Sequence, residues 1–144
     1  MSISRTVYVQ RTNLPSAKEW ADAVRAAGFP MELDSDFALE SHEGFLPVTY
    51  EGKPAGFEYF YSLVGEDEDG EDREHPEVGD RDVGITFVTH SSMRELVTAV
   101  IAAAILCERS DGIVYDHESG DTITASEAVA SARELIASVG EDLD

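Results

Sequence analysis

Two small groups of polar residues have the types needed for acid–base or anion chemistry. Asp116 and His117 are adjacent and are followed by Asp121, whereas His90 precedes two serines at a predicted helix start. A carboxylate–imidazole pair can transfer protons when one pKa is tuned, and backbone N–H groups at a helix start can hold an anion. However, Asp and Gly are also the residues that a tight turn needs, and Ser92 can cap the helix itself. We therefore favour a structural role for both groups.

The other candidates for a metal or nucleophilic site fail on spacing. No two of the four histidines lie three or four residues apart, as a helical metal pair would. Residues 67–70 (DEDG) resemble part of a calcium loop, but with Gly70 at the sixth position the twelfth is Pro76, where a carboxylate is required. Cys107, the only cysteine, falls in an apolar helical pattern and is predicted to be a small buried side chain. We predict no enzyme activity, no catalytic residue, no metal site and no cofactor.

The charge of the chain limits its partners. Its 144 residues include 30 Asp plus Glu and 10 Lys plus Arg, for a net charge of −20. Residues 65–82 hold ten acids and two arginines, a net −8, which leaves −12 for the remainder. A chain this negative, with its basic residues dispersed, does not suit a phosphate backbone or an anionic membrane. We predict no nucleic-acid partner and no membrane partner, whereas a basic protein is electrostatically permitted.

Hydrophobic periodicity and capping motifs locate the elements that must position these groups. Alternation predicts strands at 5–12, 29–33, 44–50, 56–64, 83–89 and 112–116, with residues 51–54 as a hairpin turn. A Ser or Thr followed three residues later by Glu, at 16–19, 92–95 and 124–127, predicts three helix starts. We predict a single α+β domain over residues 1–144, with a mostly antiparallel sheet of about five strands and three helices packed mainly on one face. Residues 65–82 are predicted to form an acidic, mobile loop.

The strand at 56–64 is rich in aromatic residues. Phe57, Tyr59 and Tyr61 alternate onto one face, and Phe60 lies on the other. A helix over each face would explain this pattern, and the alternative is a half-exposed aromatic surface of the kind that forms interface hot spots. Because the acidic loop follows directly, such a surface would have an acidic rim that speeds association with a basic protein. The candidate partner-binding residues are Tyr59, Tyr61, Glu66, Asp67, Glu68, Asp69, Glu71 and Asp72.

Four short segments resemble a group of small bacterial proteins. They are residues 44–47 (GFLP), 55–58 (AGFE), 101–104 (IAAA) and 111–116 (DGIVYD). The similar proteins are small and acidic, and some are immunity proteins encoded beside polymorphic toxins of contact-dependent or type VI secretion systems. Because the matching residues belong to turns and strand ends, the resemblance assigns no functional residue. It implies a toxin-binding inhibitor in the cytoplasm.

Three hypotheses follow for the function of the chain. The first is a non-enzymatic immunity protein, a monomer or homodimer in the cytoplasm, which binds a cognate toxin with a basic active-site cleft. The second is a small cytoplasmic housekeeping or ligand-binding domain whose acidity reflects salt adaptation, which the two lysines against eight arginines would fit. The third is an enzyme built from Asp116, His117 and His90, and it requires these groups to converge in a pocket.

Overall fold

The computed structural model describes residues 3–64, 79, 81–90 and 92–139. Within these residues the chain forms one seven-stranded sheet in which every neighbouring pair is antiparallel. The strand order is β2-β3-β4-β5-β1-β6-β7. The strands are β1 (Ile3–Val9), β2 (Met31–Leu33), β3 (Gly44–Tyr50), β4 (Lys53–Leu63), β5 (Val83–Thr89), β6 (Ile113–Asp116) and β7 (Thr122–Thr124), and the helices are α1 (Ala17–Ala26), α2 (Met93–Ser110) and α3 (Ala125–Val139). The predicted α+β class is confirmed, but the sheet has seven strands instead of about five.

Helix α2 forms the centre of the core. Every residue from 97 to 107 is buried, and the helix packs against α1, α3 and several strands of the sheet. A helix that is apolar around its circumference has to be covered on all sides. The strand register places Val7, Ile85 and Tyr61 side by side, and the next inner row contains Tyr59 and Phe87, on the face that packs against the helices. We call this the inner face of the sheet and the opposite side the outer face.

The predicted capping motifs differ in how fully they form. At α1 the Oγ of Ser16 accepts from the Glu19 N–H at 3.1 Å, and Glu19 Oε1 accepts from the Ser16 N–H at 3.0 Å. At α2 the Oγ of Ser92 accepts from the backbone N–H of residue 95 at 3.2 Å. In the third motif the contact joins two side chains, because Thr124 Oγ1 donates to Glu127 Oε1 at 2.7 Å. Strand β7 runs directly into α3, so Thr124 belongs to the strand.

The hairpin between β3 and β4 is tighter than the predicted turn at 51–54. Glu51 and Gly52 form it alone, with φ angles of 53° and 78°. Two consecutive positive φ angles give a turn whose twist matches that of the flanking strands, and β4 therefore begins at Lys53. The sequence does not predict β7, because three residues are too few to show an alternating pattern. This strand pairs with β6 and lies at one edge of the sheet.

Gly56 occupies a position in β4 where a side chain does not fit. Its φ is 152°, and a Cβ built there would lie 2.4 Å from Cζ of Phe45 and 2.7 Å from the carbonyl oxygen of Leu46. The ring of Phe45 therefore lies directly against the Gly56 backbone. This ring nonetheless keeps an exposed side, because Phe45 is 54% exposed.

We expect Gly56→Ala to lower the free energy of unfolding by about 2–4 kcal/mol, because it combines overpacking with an unfavourable backbone conformation. Gly52→Ala is the matched control in the same hairpin, since its φ is also positive but nothing lies within 4 Å of the added Cβ. It should lose only the backbone cost of about 1–2 kcal/mol. Urea denaturation measures both variants, and equal losses would contradict the proposed clash.

Candidate functional site

Tyr59, a predicted contact residue, lies inside the core. Its side chain has no exposed surface, and its hydroxyl donates to the carbonyl oxygen of Leu39 at 2.7 Å. Its ring packs edge-on against Phe87 and tilted against Trp20, with centroids 6.0 and 6.3 Å away. Burial raises the pKa of Tyr59 above its ordinary value. A partner of the folded chain meets no surface of this side chain, which corrects the predicted contact role.

Tyr61 is half-buried beside a surface ion pair. Arg11 donates to both carboxylate oxygens of Glu40, at 3.1 and 2.6 Å. Burial, followed by the charge of Glu40, raises the pKa of Tyr61. Its role in partner binding stays a prediction. The remaining predicted contact residues, Glu66, Asp67, Glu68, Asp69, Glu71 and Asp72, lie outside the described residues.

The three residues of the enzyme hypothesis have separate partners. Asp116 Oδ2 lies 3.8 Å from the guanidinium of Arg5. His117 Nε2 lies 2.8 Å from Thr6 Oγ1, and His90 Nε2 lies 3.5 Å from a carboxylate oxygen in β4. Asp116 ends β6 beside Arg5 of the inner face, whereas His117 begins the following turn and contacts Thr6 of the outer face, so the two side chains diverge. These contacts provide no shared acid–base arrangement.

Cys107 is buried in α2, in agreement with its predicted packing role. Burial raises the pKa of its thiol to about 12, so the reactive thiolate is suppressed at neutral pH. Among the described residues, no group of three or more His, Cys, Asp or Glu side chains is placed to hold a metal ion. The same part of the chain contains no helix with the length and apolar character needed to cross a bilayer.

The outer face of the sheet is the candidate surface, and its exposed positions include Glu32, Phe45 and Pro47, whereas Thr6, Tyr8 and Ile113 are buried. Its cross-strand rows are set by the register, so that Phe60, Thr86 and Thr6 are neighbours in one row and Glu58 and Val88 in the next. The buried side chains of the helices cluster with the inner face, whereas the outer-face residues Tyr8 and Ile113 belong to a separate small cluster. No helix among the described residues lies over this face. Its side chains include Ser4, Thr6, Tyr8, Glu32, Phe45, Pro47, Thr49, Glu58, Phe60, Ser62, Thr86, Val88, Ile113 and Tyr115.

The outer face is acidic although its charges are few. Of its described strand positions, Glu32 and Glu58 are charged, and none is Lys or Arg. Basic residues of the helical side instead pair with nearby acids, as Lys18 does with Asp22 at 2.9 Å. Further pairs join Arg11 to Glu40, Arg25 to Asp22 and Arg109 to Glu19. The outer face therefore presents Glu32 and Glu58, the latter 3.5 Å from His90 Nε2, and this acidic character favours an approaching cation.

A chain of hydrogen bonds orders the centre of the outer face. Thr6 Oγ1 lies 2.9 Å from Thr86 Oγ1 and 2.8 Å from His117 Nε2. The His117 ring stands edge-on to Tyr115, with centroids 4.9 Å apart. Thr6 is only 4% exposed, and each buried side-chain N or O atom of the described residues has a partner. A surface held this way needs little ordering when it binds a partner.

Phe45 and Glu58 are the surface residues that sequence reasoning missed. The prediction assigned the aromatic contacts to the face of Tyr59 and Tyr61, whereas Phe45 on the neighbouring strand is the exposed aromatic side chain. Glycine within an aromatic strand can mark the close approach of another group. Gly56 was therefore the available signal, because its missing side chain accommodates the Phe45 ring.

We expect the free energy of unfolding to fall as pH rises above about 9, partly through Cys107 and Tyr59. Burial raises the pKa of both groups above their ordinary values of 9.0 and 10.0. Their contribution is complete below the pKa of the unfolded chain and is lost as pH rises towards the folded values, because the unfolded groups ionise first.

Cys107→Ala and Tyr59→Phe should each make this alkaline fall less steep. Tyr59→Phe also loses about 1 kcal/mol at every pH with its hydrogen bond, so the slope with pH is the relevant measurement. Urea denaturation from pH 7 to 11 provides it. Unchanged slopes in both core variants would contradict the expectation.

Comparisons of the chain with models of protein families, with curated proteins and with solved structures found no match.

Proposed function

We propose that this chain is a non-enzymatic inhibitor of the immunity type, which binds a cognate secreted toxin in the bacterial cytoplasm. The observation that carries the proposal is the outer face of the sheet. Within the described residues no helix covers it, its charged positions are acidic, and Phe45 is 54% exposed. The resemblance of residues 44–47 and 55–58 to small acidic bacterial proteins supports the same function.

Inhibition would work by covering the toxin's active site. A nuclease or a nucleotide-using toxin needs basic residues to hold phosphate groups, and such a cleft is complementary to an acidic surface. Phe45 and the half-buried Phe60 supply apolar contact area, and Glu58, the cross-strand neighbour of Phe45, supplies a charged contact. Excluding the substrate in this way requires no catalytic group from the inhibitor.

Long-range attraction would speed the encounter of the two proteins. The net charge of −20 includes −8 in residues 65–82, which follow β4 directly in sequence. Charges of this density can raise association rates by orders of magnitude at low salt, and screening by ions removes the effect. Removing residues 66–77 would therefore separate the contribution of this segment to the association rate from that of the remaining surface.

The neighbouring gene provides the first test, and we expect it to encode a secreted toxin domain. Co-expression with that toxin should prevent killing.

Glu58→Lys should weaken toxin binding at least tenfold, equivalent to about 1.4 kcal/mol, because it places a like charge against the basic cleft. Glu134→Lys makes the same reversal on the exposed side of α3 and should retain full binding. Binding constants and survival are the measurements, with thermal denaturation to establish that both variants fold. Unchanged killing in the presence of the wild-type chain would overturn the proposal.

A salt-adapted housekeeping or ligand-binding domain is the second candidate. The observation in its favour is that exposed acids also occur away from the outer face, as at Glu108, Glu118 and Glu134. This candidate predicts a free energy of unfolding that increases steadily up to molar KCl, together with no protection against the toxin. Under the immunity proposal, the same increase in salt slows association with the toxin.

A further inference from the structure

We propose that a cleft beside Phe45 binds an arginine side chain presented by the protein partner. The cleft has a volume of about 590 Å³ and lies beside the short strand β2 at one edge of the sheet. Its walls include Glu32, Asp34, Phe45, Pro47, Pro54 and Glu95. The inference deepens the proposed function and rests on it, because it specifies a group that the bound protein would supply.

The cleft exists because β2 ends early. Asp34 Oδ1 accepts a hydrogen bond from the Asp36 N–H at 2.9 Å, which turns the chain away after Leu33. Strand β2 pairs with residues 48–50 of β3, and the preceding Pro47 has no N–H with which to extend that pairing. The carbonyl oxygen of Phe45 already contacts His42 Nε2 at 3.1 Å. These features hinder the addition of a partner strand at this point and favour the capture of a side chain.

The walls of the cleft suit both parts of an arginine side chain. The exposed ring of Phe45, which lies against Gly56, offers a flat surface for stacking by a guanidinium group. Pro47 and Pro54 provide apolar surface for the aliphatic stem. Burying the stem while the charged end remains near water is how long basic side chains commonly pack.

The charges of the cleft complete the match to arginine. Glu32, Asp34 and Glu95 contribute three carboxylates, and no Lys or Arg lines the cleft. In the described part of the chain, none of the three forms an ion pair with a basic side chain. A planar guanidinium can stack on an aromatic ring and donate to carboxylates at the same time, whereas a lysine ammonium is a more strongly hydrated point charge. The cleft should therefore prefer arginine to lysine.

A titration of the full chain with N-acetyl-arginine amide, followed by NMR, tests the inference directly. We expect saturable shifts of the backbone signals at 32–34 and 45–49, with a dissociation constant of about 1–10 mM for so small a ligand. N-acetyl-lysine amide should bind more weakly. N-acetyl-citrulline amide has nearly the same shape without the charge, and it should bind at least fivefold more weakly.

Variants localise the binding. Glu32→Gln and Phe45→Leu should each weaken arginine binding at least threefold, and the leucine retains apolar bulk against Gly56. Glu118→Gln, an exposed acid in the turn between β6 and β7, is the control and should bind normally. Equal binding of citrulline, or unsaturable shifts spread over all the acidic residues, would overturn the arginine site.

The two proposals can fail independently. If the arginine titration fails, the immunity function is still tested by toxin binding of Glu58→Lys and of its control. Conversely, saturable arginine binding by a chain that gives no protection against the toxin would refute the immunity function while the site itself stood.

Discussion

Helix α2 has to be covered on every side, and this requirement determines how the rest of the chain is arranged. The sheet covers one side, and α1 and α3 pack against others. Small residues such as Ala99, Ala102 and Ala103 allow close approach, and Trp20 of α1 donates its indole N–H to the carbonyl oxygen of Ala102 at 3.1 Å. Close packing of this kind leaves little freedom in where the neighbouring elements lie. A single apolar helix thereby draws the other two helices to its own side of the sheet.

Because the three helices of the described residues lie on the inner side of the sheet, none of them holds the side chains of the outer face in place. Contacts between side chains of neighbouring strands hold them instead, since such cross-strand pairs stabilise a sheet. The hydroxyls of Thr6 and Thr86 bond to each other, and the absence of a side chain at Gly56 seats the ring of Phe45. Side chains that are fixed before binding lose little entropy when a partner arrives. Order that stabilises the sheet therefore also makes it suitable for recognition.

Local signals predicted most of the elements but not the accessible surface. The capping box at Ser16 and the side-chain cap at Ser92 begin their helices, and each depends on residues three positions apart. Alternation in β4 correctly placed Tyr59 and Phe60 on opposite faces, yet both faces carry large apolar groups, so the pattern did not show which one is covered. Trp20, about forty residues earlier in the chain, lies against Tyr59 and helps to bury it. The inner face of a strand is thus decided by long-range packing, which local spacing does not encode.

For charge, as for apolar side chains, the position of the residues on the fold matters more than their number. The value of −20 excludes few arrangements by itself, because basic and acidic residues can be mixed or separated over the surface. Pairs such as Lys18–Asp22 and Arg11–Glu40 compensate charge away from the outer face, whereas Glu32 and Glu58 remain on a face without basic strand residues. The field that a partner experiences depends on this distribution more than on the total. Under the proposed function, attraction by the whole chain would bring a basic protein near, and the carboxylates and the fixed aromatic ring of the outer face would orient it.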